Sequence, residues 1–162
     1  MLSTTSQYAL RALSHLARQD GKAVLGQDLA RAVEVPANYL SKVLVTLRNA
    51  GLVDTLRGSG GGYRLARPAE GIRLIDVVEL FEEISRSRPT CFLGRTRECS
   101  ETEPCTAHTA WSEVQKAYLR FLVSTPLSAI AGNPGDAWHA AAAGATPPAG
   151  HSETEEQTGG SK

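Results

Sequence analysis

Leu47-Arg48-Asn49-Ala50-Gly51-Leu52-Val53-Asp54-Thr55-Leu56-Arg57-Gly58-Ser59-Gly60-Gly61-Gly62-Tyr63-Arg64-Leu65 is the stretch that decides the fold. Leu40, Val43, Leu44 and Leu47 lead into it at helical spacing, and Gly51 suits the left-handed position just past a helix end. Two short strands follow, Val53–Leu56 and Tyr63–Leu65. Between them Arg57 precedes four glycines in five positions, Gly58, Gly60, Gly61 and Gly62, with Ser59 among them. Glycine lowers the steric cost of a tight reversal, so this reads as a hairpin with a flexible tip and a basic residue at its base.

Working outward, the helix that ends at Ala50 starts at Pro36 or Ala37, with Pro36 suited to a first turn. A short helix over Gly26 to Val33 buries Leu29, Ala30 and Val33. A first helix, from about Ser3 to Arg18, carries Leu2, Ala9, Ala12, Leu13, Leu16 and Ala17 at helical spacing and stops before Gly21. Helix, tight turn, helix, hairpin is a winged helix-turn-helix, expected over residues 1–67. The charge agrees. Residues 1–67 hold nine Lys/Arg against four Asp/Glu on a chain of zero formal net charge, whereas residues 68–108 hold five against eight. A basic module on a neutral chain suits nucleic acid.

In such a module the second helix of the pair enters the major groove with its N-terminal residues toward base edges. Asn38, Tyr39, Ser41 and Lys42 are the candidates, with Arg48 further along. Asn pairs with adenine, Ser donates or accepts, Lys reaches guanine or phosphate, and Tyr holds phosphate. Arg57 suits a minor groove, and Gly58, Ser59, Gly60 and Gly61 let backbone amides approach phosphates. Each residue has a plainer reading as well. Tyr39 also suits covering the helix end, and Lys42 and Arg48 also suit a solvated face. No Gly-Lys-Ser/Thr follows the glycines, which argues against a nucleotide-binding loop.

Beyond the wing, residues 68–90 read as a linker and a packing helix, Ile72 to Ile84, that buries Leu74, Val77, Val78 and Phe81. The segment 91–108 holds every cysteine of the chain, Cys91, Cys99 and Cys105, with seven and five residues between them, and His108 after two more. Three thiols and a histidine gathered in a loop with Pro89, Gly94 and Pro104 are a donor set for a metal. A long helix, within 105–131, begins near Cys105, ends before Pro126 and adds a last turn over Leu127 to Ala131. Pro104 suits its first turn, which places Cys105 and His108 one turn apart on one face. Trp111, Val114, Tyr118, Phe121 and Leu122 form its apolar stripe, too large to leave wet on a small domain. From Gly132, residues 132–162 turn to Ala, Gly, Pro, Thr and Glu, a tail expected to be disordered. The fold class expected is mainly α with a small β wing, a winged helix-turn-helix plus a long C-terminal helix.

Zinc and a metal-free thiol switch compete with a cluster for the cysteines. A thiol enzyme is disfavoured, since no nucleophile motif, phosphate loop or carboxylate pair accompanies them. With no apolar run of membrane-spanning length and no signal-peptide pattern, the chain is expected to be cytoplasmic, with no membrane partner.

Tyr8-Ala9-Leu10-Arg11-Ala12-Leu13, Asn38-Tyr39-Leu40, Leu47 to Val53, and Arg57 to Tyr63 resemble the Rrf2 family of bacterial transcription regulators over about residues 1–130. The resemblance implies a DNA-binding regulator rather than an enzyme, a homodimer joined through the long helix, and binding to a two-fold promoter site on double-stranded DNA. It implies an iron–sulfur cluster on Cys91, Cys99 and Cys105, with His108 matching the histidine ligand of the IscR-like branch. A 2Fe–2S cluster is the first choice and 4Fe–4S the second. The signal implied is iron–sulfur status, redox state or nitric oxide. Ser41 stands where IscR-like members carry an acidic discriminating residue. Gln7 stands where some NsrR-like members carry an acidic ligand.

Overall fold

The computed structural model describes residues 2–58, 61–82, 84, 91–94, 99–100 and 102–132. Helix α1 (Thr4–Ala17) starts where the Ser3 hydroxyl accepts from the Ser6 amide, an N-cap that satisfies an otherwise free donor. It buries Ala9, Leu10, Ala12, Leu13 and Leu16. Helix α2 (Gly26–Ala32) and helix α3 (Ala37–Asn49) pack on it through Leu29, Ala30, Leu40, Val43, Leu44 and Leu47.

Both α2 and α3 end in the same way. Leu52 N donates to Leu47 O and Gly51 N to Arg48 O, with Gly51 at φ 69°. Val35 N donates to Ala30 O and Glu34 N to Arg31 O, with Glu34 at φ 53°. Each is the paired reverse bonding that closes a helix around one left-handed residue. The second closure is the tight turn between α2 and α3.

Strands β1 (Val53–Leu56) and β2 (Gly62–Leu65) pair antiparallel, Val53 opposite Leu65 and Leu56 opposite Gly62. Val24 adds an antiparallel bridge to Tyr63, so the hairpin is fixed to the segment before α2. The three helices and hairpin match the expected winged helix-turn-helix.

The packing helix is shorter than its periodicity predicts. A 3₁₀ turn covers Ala69–Gly71, and α4 runs only over Leu74–Val78. Leu80 N then bonds Val77 O and Phe81 N bonds Val78 O, tightening the chain out of α-helix. Phe81 still packs against the core, so the apolar spacing reported burial correctly and helix length incorrectly. Helix α5 (His108–Ser124) follows. It starts three residues later than the sequence predicts, which leaves Cys105 outside it; a 3₁₀ turn covers Leu127–Ile130. Leu122 and Leu127 are fully buried in the same core as α1, α3 and α4. Leu127 N donates to Ile72 O and Leu74 N to Thr125 O. The C-terminal end of α5 is thereby joined to the winged module, while its N-terminal end leads away to the cysteines. Residues 133–162, the tail, lie outside the described residues.

Candidate nucleic-acid interface and metal centre

On α3 the residues proposed for DNA separate cleanly from the core. Asn38, Tyr39, Ser41, Lys42 and Arg48 are exposed while Leu40, Val43, Leu44 and Leu47 are buried. Ser41 Oγ donates to Asn38 O, so its hydroxyl retains acceptor capacity. Tyr39 is held rather than loose. Its hydroxyl shares a hydrogen bond with Thr5 Oγ1, and its ring meets Tyr8 edge-on at 5.6 Å. Tyr39 is 40% exposed yet anchored to α1.

Arg57 is exposed at the foot of the wing, and Gly58 has φ 103°. Gly61 is buried, and a Cβ there would lie 2.5 Å from Leu56 O. Ser59 and Gly60 lie outside the described residues.

The cysteines converge at the base of α5. The Sγ atoms of Cys91, Cys99 and Cys105 all lie within 4.8 Å of one another, and Cys91 Sγ is 3.8 Å from Cys105 Sγ. His108 Nδ1 is 3.1 Å from Cys99 Sγ. His108 N donates to Cys105 O, the turn that brings the two side chains to one side although Cys105 precedes the helix. Phe92, Trp111, Ser112 and Gln115 complete the lining, with the Phe92 and Trp111 rings 5.3 Å apart.

The electrostatics ask for a cation. The backbone amide of Cys105 favours the Cys99 thiolate, but desolvation and the neighbouring sulfurs of Cys105 and Cys91 outweigh it and push the Cys99 thiol up. Three sulfurs this close cannot all ionise against one another; a positive ion among them removes that penalty. The donor set therefore fits a thiolate-ligated metal or cluster.

The expected dimer stripe divides in two. Leu122 is buried and Tyr118 half-buried against the protomer's own core, and Trp111 packs on Phe92. Val114 is 55% and Phe121 49% exposed, with Ala110 and Ala117 exposed beside them. Ala110, Val114, Ala117 and Phe121 follow one another at four, three and four residues, so they share one exposed strip of α5.

Sequence reading missed the contact that joins the chain after α4 to α1. Ser3 N donates to a Glu82 carboxylate oxygen at 2.8 Å. Partial burial pushes the Glu82 carboxyl up, but hydrogen bonds from Ser6 and Ser3 outweigh it and hold it below the usual carboxylate range. A glutamate in an apolar-periodic segment gives no sign of such a partner 79 residues away.

A family model described as "Rrf2: Iron-dependent Transcriptional regulator" matches residues 2–133. The chain is 36% identical over 123 residues to the HTH-type transcriptional regulator NsrR of Geobacillus kaustophilus, covering 75% of this chain and 82% of that one. Among solved structures it is similar to the T. potens IscR, with TM-score 0.61 and 25% identity over 91% of this chain and 93% of that one. It is also similar to CymR, the global cysteine regulator of B. subtilis, with TM-score 0.65 and 27% identity over 81% and 95%. No helix among the described residues is long and apolar enough to cross a membrane.

Proposed function

This chain belongs to the Rrf2 family of transcriptional regulators, and we propose that it binds a promoter as a homodimer under the control of an iron–sulfur cluster. Its family and relatives are transcriptional regulators, not enzymes. The observation that carries the cluster reading is the convergence of Cys91, Cys99 and Cys105 within 4.8 Å at the foot of α5. His108 is assigned as the fourth ligand on its approach to Cys99 alone, since the three sulfurs form the mutually close set without it. Thiolates supply the usual ligation of such clusters, and histidine replaces one on an iron. A 2Fe–2S cluster is the form proposed, with a change in iron–sulfur status, redox state or nitric oxide as the signal.

DNA contact falls to Asn38, Tyr39, Ser41, Lys42 and Arg48 on α3, with Arg57, Gly58, Ser59 and Gly60 at the wing; the buried Gly61 donates its amide to Gly58 O and shapes the turn instead. A second copy covers the strip of Val114 and Phe121, and pairing about a two-fold axis sets the spacing between two copies of α3. For a transcriptional regulator the cytoplasm is the compartment proposed.

Zinc is the second reading, since it also takes three thiolates and a histidine. The 3.8 Å between the Cys91 and Cys105 sulfurs is that of two thiolates about 2.3 Å from one tetrahedral metal, zinc or iron alike. Anaerobic purification separates the two. A cluster gives visible absorbance with iron and acid-labile sulfide in equal amounts; zinc gives colourless protein with about one zinc per chain. Cys91→Ala, Cys99→Ala and Cys105→Ala are each expected to lose the chromophore and keep the fold, and His108→Ala to weaken cluster retention. Full iron and sulfide in all three cysteine variants overturns the assignment.

A further inference from the structure

We propose that Val45 reads the 5-methyl group of a thymine in the major groove; this rests on α3 being the groove-entering helix. Val45 is 46% exposed. Asn38, Lys42, Val45 and Asn49 follow one another at four, three and four residues and are all exposed, so they share one side of the helix. Val45 is the apolar member of that strip.

Nothing within the chain accounts for a valine there. It packs against no part of the core, and β-branched valine is a poorer helix former than alanine, lysine or glutamate. The surrounding charge also argues against a protein partner seated on it. Lys42 and Arg48 flank it and no acidic residue lies on α3, which suits a polyanion.

The chemistry of the strip matches the major groove member by member. Asn and Lys match the hydrogen-bonding edges of bases, and a branched alkyl group matches the one base substituent that is apolar, the thymine methyl. Val45 is therefore a specificity-determining residue of the DNA contact.

Replacing thymine with deoxyuridine removes that methyl and leaves every hydrogen-bonding atom in place. Duplexes are selected from a random pool with the full-length wild-type protein, and each thymine of the selected site is then replaced singly by deoxyuridine. We expect one thymine per half-site whose replacement weakens binding about fourfold, the ratio that burying one methyl group produces. Val45→Ala is expected to bind the thymine and deoxyuridine duplexes equally at that position. Val45→Thr, which keeps one methyl, is expected to retain part of the preference. Val45→Ala lies at an exposed helical site, so it folds, as its thermal melt checks. Wild type indifferent to every deoxyuridine, or Val45→Ala keeping the full preference, overturns the inference and leaves DNA binding standing. Failure to enrich any duplex overturns both readings.

Discussion

Gly62 has φ 145°, and a Cβ there would run into the Val24 carbonyl group. Val24 and Tyr63 exchange backbone hydrogen bonds of 2.8 and 2.9 Å directly beside it. Any side chain at residue 62 must therefore push the wing off the body of the module. Gly62→Ala is expected to cost about 2 kcal/mol or more, read as a lower denaturation midpoint, and to weaken DNA binding with it. Glu34 is the opposite case. It occupies the left-handed position that ends α2, where an L side chain costs about 1–2 kcal/mol. Its ion pair with Arg11, 3.7 Å and exposed, returns little of that. Glu34→Gly is expected to raise stability by about 0.5–1 kcal/mol in urea denaturation, and a lower midpoint would refute the strain argument. The two positions also show what a sequence reveals at this scale. Gly51 and the wing glycines announce their turns by residue type. A glutamate does not, and the bonding around it becomes visible only once α2 and α3 are in place.

At the scale of elements, α1, α2, α3 and the hairpin were legible within a residue or two, because local periodicity and stop residues agree with the tertiary packing. Disagreement begins where one segment serves two surfaces. Helix α5 turns Tyr118 and Leu122 to its own core and Val114 and Phe121 outward; a hydrophobic pattern merges the two into one stripe. Opposite outcomes are expected from neighbouring residues. Leu122→Ala removes a fully buried side chain and should cost about 2–5 kcal/mol of stability. Phe121→Glu should leave protomer helicity intact and convert the dimer to monomer in sedimentation at micromolar concentration. A wild-type monomer under those conditions would refute the pairing of α5. Residues 79–84 failed in a different way. Leu80 and Phe81 keep the apolar spacing of a helix, but tighter turns follow α4 and Glu82 accepts from Ser3.

Across the whole molecule, the described contacts link the chain after α4 to the exposed start of α3. The chain leaving α4 is fixed to the start of α1 where Glu82 accepts from Ser3. Two residues on, Thr5 bonds Tyr39 at the start of α3, and Tyr8 packs edge-on against the same ring. We predict that coupling between the cysteine segment and α3 passes through Glu82, α1 and Tyr39. The Glu82 carboxyl is held below its ordinary range, so this contact is present at neutral pH and is lost only as pH falls through that lowered value. Linkage requires the effect of the cluster on DNA affinity to equal the effect of DNA on cluster affinity. For the wild type, operator affinity is expected to differ between cluster-loaded and cluster-free protein by about 1–3 kcal/mol, roughly 5- to 150-fold. Glu82→Ala should keep the chromophore and the dimer, since it touches neither the sulfurs nor the exposed strip of α5, and should shrink that ratio toward one. Fluorescence anisotropy on a labelled operator, with loaded and unloaded forms of both proteins, measures the four affinities. Equal affinities for the two wild-type forms would remove the sensing role and leave DNA binding intact. An undiminished ratio in Glu82→Ala would instead place the coupling elsewhere, through the α5 dimer and the spacing it imposes on the two α3 helices.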